Sequence, residues 1–228
     1  MELLQLGSQG QLVKYLQKKL VQLNYSLFVN EIFDDRTNYA VLDFQSRNNL
    51  ARDGVVGGNT WTRIYLLTEH ARSANSFIER QNNILHLHPV VRTSVVNVYT
   101  KIQSEGIPFK VFEAYRYPQR QAQLYAQGRS TTGKIVTYAK PWSSYHQYGL
   151  AVDFVLFIND KWSWENSRQT KNWWDRLHEL GRLEGLMRLD FELPHLQLSG
   201  TSLNALRQGI YPPGGDQSWL NNFAIARK

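Results

Sequence analysis

One aspartate interrupts an otherwise apolar stretch of the chain. Residues 150–157 read Leu-Ala-Val-Asp-Phe-Val-Leu-Phe, and Asp153 is the single polar residue among them. A run of this length and composition predicts a buried strand at the centre of a sheet. A carboxylate buried there costs free energy unless a cation lies beside it. That cation is either a metal ion or an arginine, and the pattern leaves both open.

Two histidines and a glutamate extend this pattern. His146 precedes Asp153 by seven residues, and Gly149 between them lets the chain bend, so a loop residue and a strand residue can converge. His195 follows Asp153 by 42 residues. Two histidines and one aspartate can hold a zinc ion with one coordination position open, as a catalytic zinc site requires. Glu192, three residues before His195, would supply a proton carrier.

The composition excludes several classes of site. The chain has 228 residues, of which 42% are hydrophobic and 13% aromatic, and it has no cysteine. This length suffices for one large or two small domains. Without cysteine, disulfides, cysteine-ligated zinc and a cysteine nucleophile are excluded. No window reaches the roughly 18 apolar residues of a membrane span, so we expect no stable membrane insertion.

The net charge of +7 is spread unevenly. Residues 1–70 contain seven Lys and Arg and seven Asp and Glu, so the whole excess lies in residues 71–228. A basic surface attracts polyanions in general, including nucleic acid and an anionic cell wall. The basic residues are dispersed, with no run of five. We therefore expect no nucleic-acid partner.

The first part of the chain, residues 1–68, predicts an all-α three-helix bundle. Leucines recur every three or four residues along a first helix, which Ser8 and Gln11 precede in capping-box spacing. A second helix follows Asp34, which can cap it. The predicted inner face of this second helix consists of Tyr39, Ala40, Val41 and Phe44. A third, short helix begins at Thr60.

The rest of the chain predicts an α+β domain. By composition it divides into a polar linker, this domain and a tail, at residues 69–85, 86–200 and 201–228. Apolar stripes predict helices after Pro89 and Pro118 and a late helix that ends at Gly181. Strands are predicted at 109–112, 151–157 and 196–198. We expect a small, mostly antiparallel sheet flanked by helices.

Spaced motif residues cover nearly the whole first segment. They include Leu6-Gly7-Ser8-Gln9-Gly10, Leu16-Gln17, Phe33-Asp34, Phe44-Gln45 and Asp53-Gly54-Val55-Val56-Gly57. In this pattern the segment resembles the helical peptidoglycan-binding domain found on many wall-active enzymes. The resemblance implies a wall anchor without a catalytic role, and bacterial peptidoglycan as the partner.

A second resemblance concerns the remaining domain. Ser-x-His-x-x-Gly-x-Ala-x-Asp at 144–153 is followed by Glu-x-Pro-His at 192–195. Together these motifs resemble the superfamily of zinc D,D-carboxypeptidases and L-alanyl-D-glutamate endopeptidases. Upstream, Tyr115-Arg116, Gln121 and Leu124-Tyr125-Ala126-Gln127-Gly128-Arg129 resemble the phage endolysin branch, which cuts L-alanyl-D-glutamate bonds. The resemblance covers residues 85–198.

This resemblance implies a role for each motif residue. The ligands of one zinc ion would be His146, Asp153 and His195. Glu192 would act as general base and then as acid, and Arg116 would bind substrate and stabilise the developing oxyanion. Ser144 and Gln121 are implied to belong to the substrate-binding pocket.

One segment departs from the branch pattern. The branch usually has Gly-Leu-x-Trp-Gly-Gly-x-Trp before the last histidine motif, whereas here Gly185-Leu186 is followed by Met187-Arg188-Leu189-Asp190-Phe191. The bond specificity therefore stays open. The alternatives are a zinc D-Ala-D-Ala carboxypeptidase and a wall-binding protein whose peptidase domain is inert.

The resemblance also predicts the biological setting, which is lysis of a bacterial host by a bacteriophage endolysin. The first residues, Met1-Glu2-Leu3-Leu4-Gln5, have neither a basic segment nor a long apolar run, so we expect no signal peptide. We expect a monomer that is made in the host cytoplasm and acts on the cell wall. Its delivery would then need a holin-type pore.

The other histidines and three tryptophans receive separate predictions. His178 lies in a charged helix and is predicted to face solvent. His86 and His88 are predicted to pack at the entry of a helix. The tryptophans at 142, 162 and 164 either pack in the fold or line a substrate groove, and the sequence leaves both open.

Overall fold

The computed structural model describes residues 3–68 and 77–214. Its internal contacts divide the chain into two compact units. The first unit comprises Met1–His70 with Val96–Phe109, and the second comprises Ala71–Val95 with Lys110–Lys228. The domain boundaries expected from composition stay a prediction.

Three helices dominate the N-terminal part of the first unit, and they confirm the all-α bundle. They are α1 (Gln11–Gln22), α2 (Asp35–Arg47) and α3 (Gly58–Thr68). Asp34 caps α2, since its side chain accepts a hydrogen bond from the Thr37 amide at 2.8 Å. The buried core of the bundle includes Leu12, Leu16, Leu20, Phe33, Val41, Phe44, Trp61 and Ile64.

Two buried glutamines of the motif tie loops to these helices. Gln17 on α1 donates to the carbonyl of Ile32 at 2.9 Å. Gln45 on α2 donates to the carbonyl of Val55 at 2.9 Å and accepts from the amide of Gly54 at 2.9 Å. Because buried backbone groups need such partners, these glutamines stabilise the fold and are not part of its surface.

The predicted capping box of α1 is wrong. The Ser8 hydroxyl accepts a hydrogen bond from the amide of Gln5 at 3.0 Å instead of capping the helix. Gly10 precedes the first helical residue, and no side chain caps this end. Ser8 therefore stabilises the turn before α1.

The prediction that Tyr39 lies on the inner face of α2 is also wrong. Its side chain is 73% exposed, whereas Ala40, Val41 and Phe44 are buried. Residues three and four apart share a helix face, so Tyr39 lies beside Arg36 and Asp43 on the outer side.

The other elements confirm an α+β fold. The helices are α4 (Pro89–Ser104), α5 (Pro118–Ala126), α6 (Arg168–Leu183) and α7 (Leu203–Arg207). The strands are β1 (Phe109–Glu113), β2 (Ala151–Ile158), β3 (Lys161–Ser163), β4 (Leu186–Leu189) and β5 (Glu192–Leu198). Short 3₁₀ helices occur at Ile84–His86 and Tyr145–Tyr148. Among the helices in the described ranges, none has both the length and the apolarity needed to cross a membrane.

The five strands form one small, mostly antiparallel sheet. Its order is β1-β2-β5-β4, and β3 pairs with β2. Strand β2 is antiparallel to β3 and to β5, and β4 is antiparallel to β5. The sequence did not predict β3 and β4, because each is only three or four residues long and mostly accessible to solvent.

Helix α6 does not end at Gly181 as predicted. The helix continues to Leu183. A Cβ atom at Gly181 would lie 2.9 Å from the side chain of Leu196. The glycine therefore permits close packing of α6 against β5 and does not mark a helix end.

Parts of the predicted linker and tail, residues 69–76 and 215–228, lie outside the described residues. The described end of the predicted linker belongs to the second unit. There the amide of Ala114 donates to the carbonyl of Gln81 at 2.6 Å. The described part of the tail contains α7.

Candidate metal centre

The register of two central strands brings the first two site residues together. Strands β2 and β5 pair so that Asp153 lies directly opposite His195. Residues directly opposite in an antiparallel pair project from the same face of the sheet with their Cβ atoms about 4.5–5.5 Å apart. His195 is 3% exposed, and the side chain of Asp153 is 15% exposed.

A capped 3₁₀ helix positions the third residue. Ser144 and Gln147 form a capping box around Tyr145–Tyr148, which contains His146. Gly149 ends this helix with φ of 68°, and a Cβ atom there would lie 3.1 Å from the backbone nitrogen of His88. The predicted bend at Gly149 is confirmed, and it leads the chain directly into β2.

The three side chains converge in a nearly equilateral triangle. Nε2 of His146 lies 3.2 Å from Oδ1 of Asp153 and 3.2 Å from Nδ1 of His195. Nδ1 of His195 lies 3.1 Å from the same Oδ1. Ligands at about 2.0–2.1 Å from a tetrahedral zinc ion lie about 3.3–3.4 Å from one another. The triangle therefore has nearly the size of one face of a tetrahedral zinc site.

Hydrogen bonds outside the triangle fix which imidazole nitrogens face inward as acceptors. Nδ1 of His146 lies 2.6 Å from the carbonyl of Ala114, which can only accept. Nε2 of His195 lies 3.0 Å from Oε1 of Gln197. A neutral imidazole carries one N–H, so both inward nitrogens present lone pairs. Three acceptor atoms this close repel unless a cation lies among them, and this donor set therefore fits a metal ion.

The charge of Asp153 also suits a cation site. Burial alone would raise the pKa of this carboxyl. Protons on the inward nitrogens of His146 and His195, which a metal ion would replace, favour the carboxylate enough to outweigh burial, and they hold its pKa well below the ordinary value. Asp153 is therefore ionised at neutral pH, the form in which a carboxylate binds metal.

Glu192 borders the triangle on its solvent side. It is the first residue of β5, and its Oε2 lies 3.6 Å from Nδ1 of His195. The Glu192 side chain is 41% exposed, whereas that of His195 is 4% exposed. A carboxylate in this position can exchange protons with water and with a group bound at the triangle.

Asp153 has an arginine partner as well as its histidines. Its Oδ2 accepts a hydrogen bond from Nη2 of Arg116 at 3.1 Å, while its Oδ1 faces the two imidazoles. The two readings of the buried aspartate are therefore compatible. Arg116 therefore binds the carboxylate oxygen that the two imidazoles do not contact.

Glu113 is a site residue that the sequence reasoning missed. It lies on β1 and its side chain is 3% exposed. Its Oε2 accepts from Nη2 of Arg116 at 2.7 Å, and its Oε1 accepts from Nε of Arg120 at 2.6 Å. A buried carboxylate between two arginines fixes both guanidinium groups. The only sequence signal for this contact was that Glu113 precedes Arg116 by three residues. A single glutamate in a predicted strand does not show which basic residue it will bind.

Replacing Glu113 by glutamine is expected to destabilise the fold by about 3–5 kcal/mol at neutral pH, as removal of one partner from a buried pair typically does. Burial alone raises the pKa of Glu113, but Arg116 and Arg120 outweigh burial and lower it. The ionised form therefore contributes stability above the unfolded-state pKa of about 4.3 and loses it as the pH falls through the folded-state pKa. Urea unfolding at several pH values would measure this difference.

A matched control is Glu105→Gln. Glu105 pairs with Lys101 at 3.8 Å, with both side chains about a third exposed. Loss of this partly exposed ion pair is expected to lower the free energy of unfolding by about 0–1 kcal/mol. Equal destabilisation by the two variants would refute the role assigned to Glu113.

The two residues implied for the substrate pocket both have structural contacts. Gln121 is fully buried; its Oε1 accepts from Nη1 of Arg116 and from Nε2 of Gln147, each at 3.1 Å. The Ser144 hydroxyl lies 3.4 Å from the amide of His146. These contacts position Arg116 and His146, and a direct contact with substrate stays a prediction for both residues.

The other histidines among the described residues, His86, His88 and His178, lie outside the triangle. His178 is wrongly predicted to face solvent, because it is half-buried and its Nε2 lies 2.9 Å from the carbonyl of Leu193. His88 is buried, and its Nδ1 accepts from the amide of Val90 at 3.3 Å, which confirms packing at the entry of α4. His86 ends the preceding 3₁₀ helix.

The three tryptophans make aromatic contacts. Trp142 lies 5.7 Å from the ring of Tyr148. Trp162 and Trp164 lie 5.0 Å and 5.2 Å from the ring of Phe112. Their proposed part in a substrate groove stays a prediction.

The segment that departs from the branch pattern forms the β4–β5 hairpin. A register shift occurs between Arg188 and Leu189. Phe191 at the turn is 81% exposed and directly precedes Glu192. The segment therefore has an exposed aromatic residue directly before Glu192 in the chain.

Two family models match this chain. Residues 9–64 match a model described as a putative peptidoglycan binding domain. Residues 84–193 match a model described as D-alanyl-D-alanine carboxypeptidase. The second match includes His146, Asp153 and Glu192 and ends two residues before His195. The chain is therefore similar to a peptidoglycan-binding domain over its first segment and to a carboxypeptidase over its second.

A curated relative is similar to part of the chain. Over 74 residues the chain is 42% identical to the peptidoglycan L-alanyl-D-glutamate endopeptidase CwlK of Bacillus subtilis (strain 168). The matched stretch is 32% of this chain and 44% of that protein. The chain therefore spans less than half the length of this relative.

Solved structures with detectable likeness include two wall-related proteins. The Burkholderia AP3 phage endolysin aligns over 59% of this chain and 55% of that chain, with 21% identity and a TM-score of 0.29. A fused Zn-dependent amidase/peptidase/peptidoglycan-binding domain-containing protein from Clostridium acetobutylicum ATCC 824 aligns over 71% and 58%, with 16% identity and a TM-score of 0.28. At these TM-scores neither likeness bears on function.

Proposed function

We propose that this protein is a zinc peptidase that hydrolyses amide bonds in the stem peptides of bacterial peptidoglycan. The observation that carries the proposal is the triangle of His146, Asp153 and His195 with the Glu192 carboxylate 3.6 Å from one of its atoms. Three ligands and a neighbouring proton carrier are the elements of a hydrolytic zinc site. The family matches over residues 9–64 and 84–193 support a wall substrate.

The donor set supports one zinc ion. Two imidazoles and a carboxylate are typical ligands of catalytic zinc, whereas magnesium and calcium prefer oxygen donors. Zinc bound there would lower the pKa of a water molecule towards about 7 and polarise the scissile carbonyl.

The residues around the triangle would then handle the proton and the substrate. Glu192 accepts the proton of the attacking water on a carboxylate oxygen and returns it to the leaving nitrogen. Arg116 keeps Asp153 in place through its Nη2, and its positive charge favours the oxygen that becomes negative during attack. The carbonyl of Ala114 and the side chain of Gln197 hold the two imidazoles in their ligand orientation.

The bond that we propose is L-alanyl-D-glutamate. It is the bond named for the curated relative that is 42% identical over 74 residues. A D-alanyl-D-alanine carboxypeptidase is the second candidate, because the model matched by residues 84–193 carries that description. Both activities use the same donor atoms and differ in how the stem peptide lies across them.

Mass spectrometry of digested muropeptides separates these activities. The purified protein would be incubated with soluble muropeptides that carry complete pentapeptide stems. Release of the stem without its first L-alanine supports the endopeptidase, whereas release of free D-alanine supports the carboxypeptidase. Intact muropeptides after zinc loading would leave a non-catalytic wall-binding protein as the correct reading.

The biological role that we propose is lysis of a bacterial host by a phage endolysin. In this role a monomer is made in the host cytoplasm, passes through a holin-type pore and acts on the cell wall. The wall anchor would be domain 1–68, and the peptidase domain would span residues 86–200. Lysis of cells only after the membrane has been permeabilised would support this delivery route.

A further inference from the structure

The first unit contains a groove that its helical core leaves open. The groove encloses about 800 Å³ and lies between residues 23–27, the outer side of α2 and the end of α3. This volume is within the range of about 300–1,000 Å³ that is usual for ligand sites. All of its lining residues belong to the first unit, whereas His146, Asp153 and His195 belong to the second.

An exposed aromatic ring lies in this groove. The side chain of Tyr39 is 73% exposed, whereas Ala40, Val41 and Phe44 on the other face of α2 are buried. A tyrosine presents a flat apolar ring and a polar hydroxyl, which suits a ligand that has both apolar faces and hydroxyl groups. Sugar rings have this character, because their C–H faces are apolar and their edges carry hydroxyl and amide groups.

A hydrogen-bonded network forms the polar wall of the groove. The hydroxyl of Tyr25 donates to Oδ2 of Asp43 at 2.9 Å, and Nε of Arg47 donates to the same oxygen at 2.7 Å. Burial and the hydrogen bond to Asp43 raise the pKa of Tyr25 to about 12, so its hydroxyl stays protonated. The Tyr25 hydroxyl and the Asp43 carboxylate are therefore already hydrogen-bonded to each other, while the Arg47 side chain is 75% exposed and accessible to a ligand.

The charge of the groove is positive. Its lining includes Arg36, Arg47 and Asp43, and its other described lining residues are uncharged. The lining side chains therefore have a net charge of about +1, which favours an anionic ligand. Stem peptides of peptidoglycan carry carboxylates next to the sugar chain, so a glycan strand with its peptides combines both features.

We propose that this groove binds a peptidoglycan glycan strand, with a sugar ring against Tyr39 and a stem-peptide carboxylate near Arg36. The proposal rests on the wall substrate of the proposed function, and it names the face of the first unit that recognises that substrate. The metal centre recognises a peptide bond, so the two sites would contact different parts of one polymer.

The test uses the full chain with Glu192→Gln, so that the wall is not degraded during binding. Binding would be measured to intact sacculi and to glycan strands freed of their peptides. In this background Tyr39→Ala is expected to weaken binding to the peptide-free strands about tenfold or more, as loss of a central aromatic contact does. Tyr39→Phe is expected to retain most of the binding. Arg36→Gln is expected to weaken binding to sacculi and to leave binding to peptide-free strands unchanged.

The control is Leu6→Ala, which removes another exposed apolar side chain of the same unit outside the groove. It is expected to bind both materials as the parent does. Equal binding of peptide-free strands by the parent and by Tyr39→Ala would overturn the proposal. Loss of self-association in Tyr39→Ala with unchanged glycan binding would also overturn it, since the groove would then hold a second copy.

Failure of the groove and failure of the proposed function give different results. If the protein with Glu192 intact cleaves soluble muropeptides but Tyr39→Ala binds strands normally, the groove assignment alone is wrong. If that protein cleaves no muropeptide, the proposed function is wrong, whatever the groove binds.

Discussion

Replacing Glu192 by glutamine is expected to lower the rate of stem-peptide hydrolysis by about 10²- to 10⁴-fold, the usual contribution of a positioned proton carrier. Glutamine has nearly the shape of glutamate but cannot accept a proton at neutral pH. The Glu192 side chain is 41% exposed and lies beside the triangle. The substitution therefore removes the proton acceptor without removing a metal ligand or a core residue.

The measurement combines muropeptide hydrolysis with the zinc content of the same protein sample. Glu192→Gln is expected to bind one zinc ion per chain, as the parent does, and to keep the thermal unfolding midpoint. Glu179→Gln is the matched control, since Glu179 is a 51% exposed glutamate that pairs with Arg176 on α6. A hydrolysis rate near the parent value in Glu192→Gln would remove this residue from the mechanism.

The second large effect is expected on metal binding. His195→Ala removes one corner of the triangle, whose three atoms lie 3.1–3.2 Å apart. The zinc dissociation constant is expected to rise by more than the roughly 10- to 100-fold that loss of an outer hydrogen-bond partner costs. Gln197→Leu keeps the ligand but removes the acceptor of its outer nitrogen, so its loss of affinity is expected to lie within that range.

Competition with a chelator of known zinc affinity measures this series. Asp190→Asn provides the control, because Asp190 is a nearby acid whose side chain is 93% exposed and which pairs with Arg188. It is expected to bind zinc as the parent does. The assignment of the triangle would fail if His195→Ala retained the parent affinity, or if Asp190→Asn lost as much affinity as His195→Ala.

Much of the fold was predictable, because local patterns determine it. The leucines of α1 and the valines of α4 recur at helical spacing, and both segments form helices with these residues buried. The apolar run that contains Asp153 forms the long central strand. Predictions failed where packing against distant residues overrode the local pattern. A glycine at 181 predicts a helix end, but here it lies within α6, because a side chain at this position would clash with Leu196.

Part of the candidate site was also predictable. The seven-residue spacing of His146 and Asp153 around Gly149 depends on one turn, and the structure has that turn. The outer partners were not predictable. Every residue has a backbone carbonyl, so nothing in the sequence marks that of Ala114 as the partner of His146. Gln197 binds the outer nitrogen of His195 only because the two residues lie on the same face of β5.

The sequence by itself determined the donor atoms, the longer helices and strands and the turn at Gly149, because each depends on residues that are near one another in the chain. Tertiary structure alone decided that Asp153 faces His195 and that Glu113 reaches Arg116 and Arg120. The physical reason is strand register. A shift of one residue between β2 and β5 would turn His195 to the opposite face of the sheet, and only the packing of the whole sheet fixes that register.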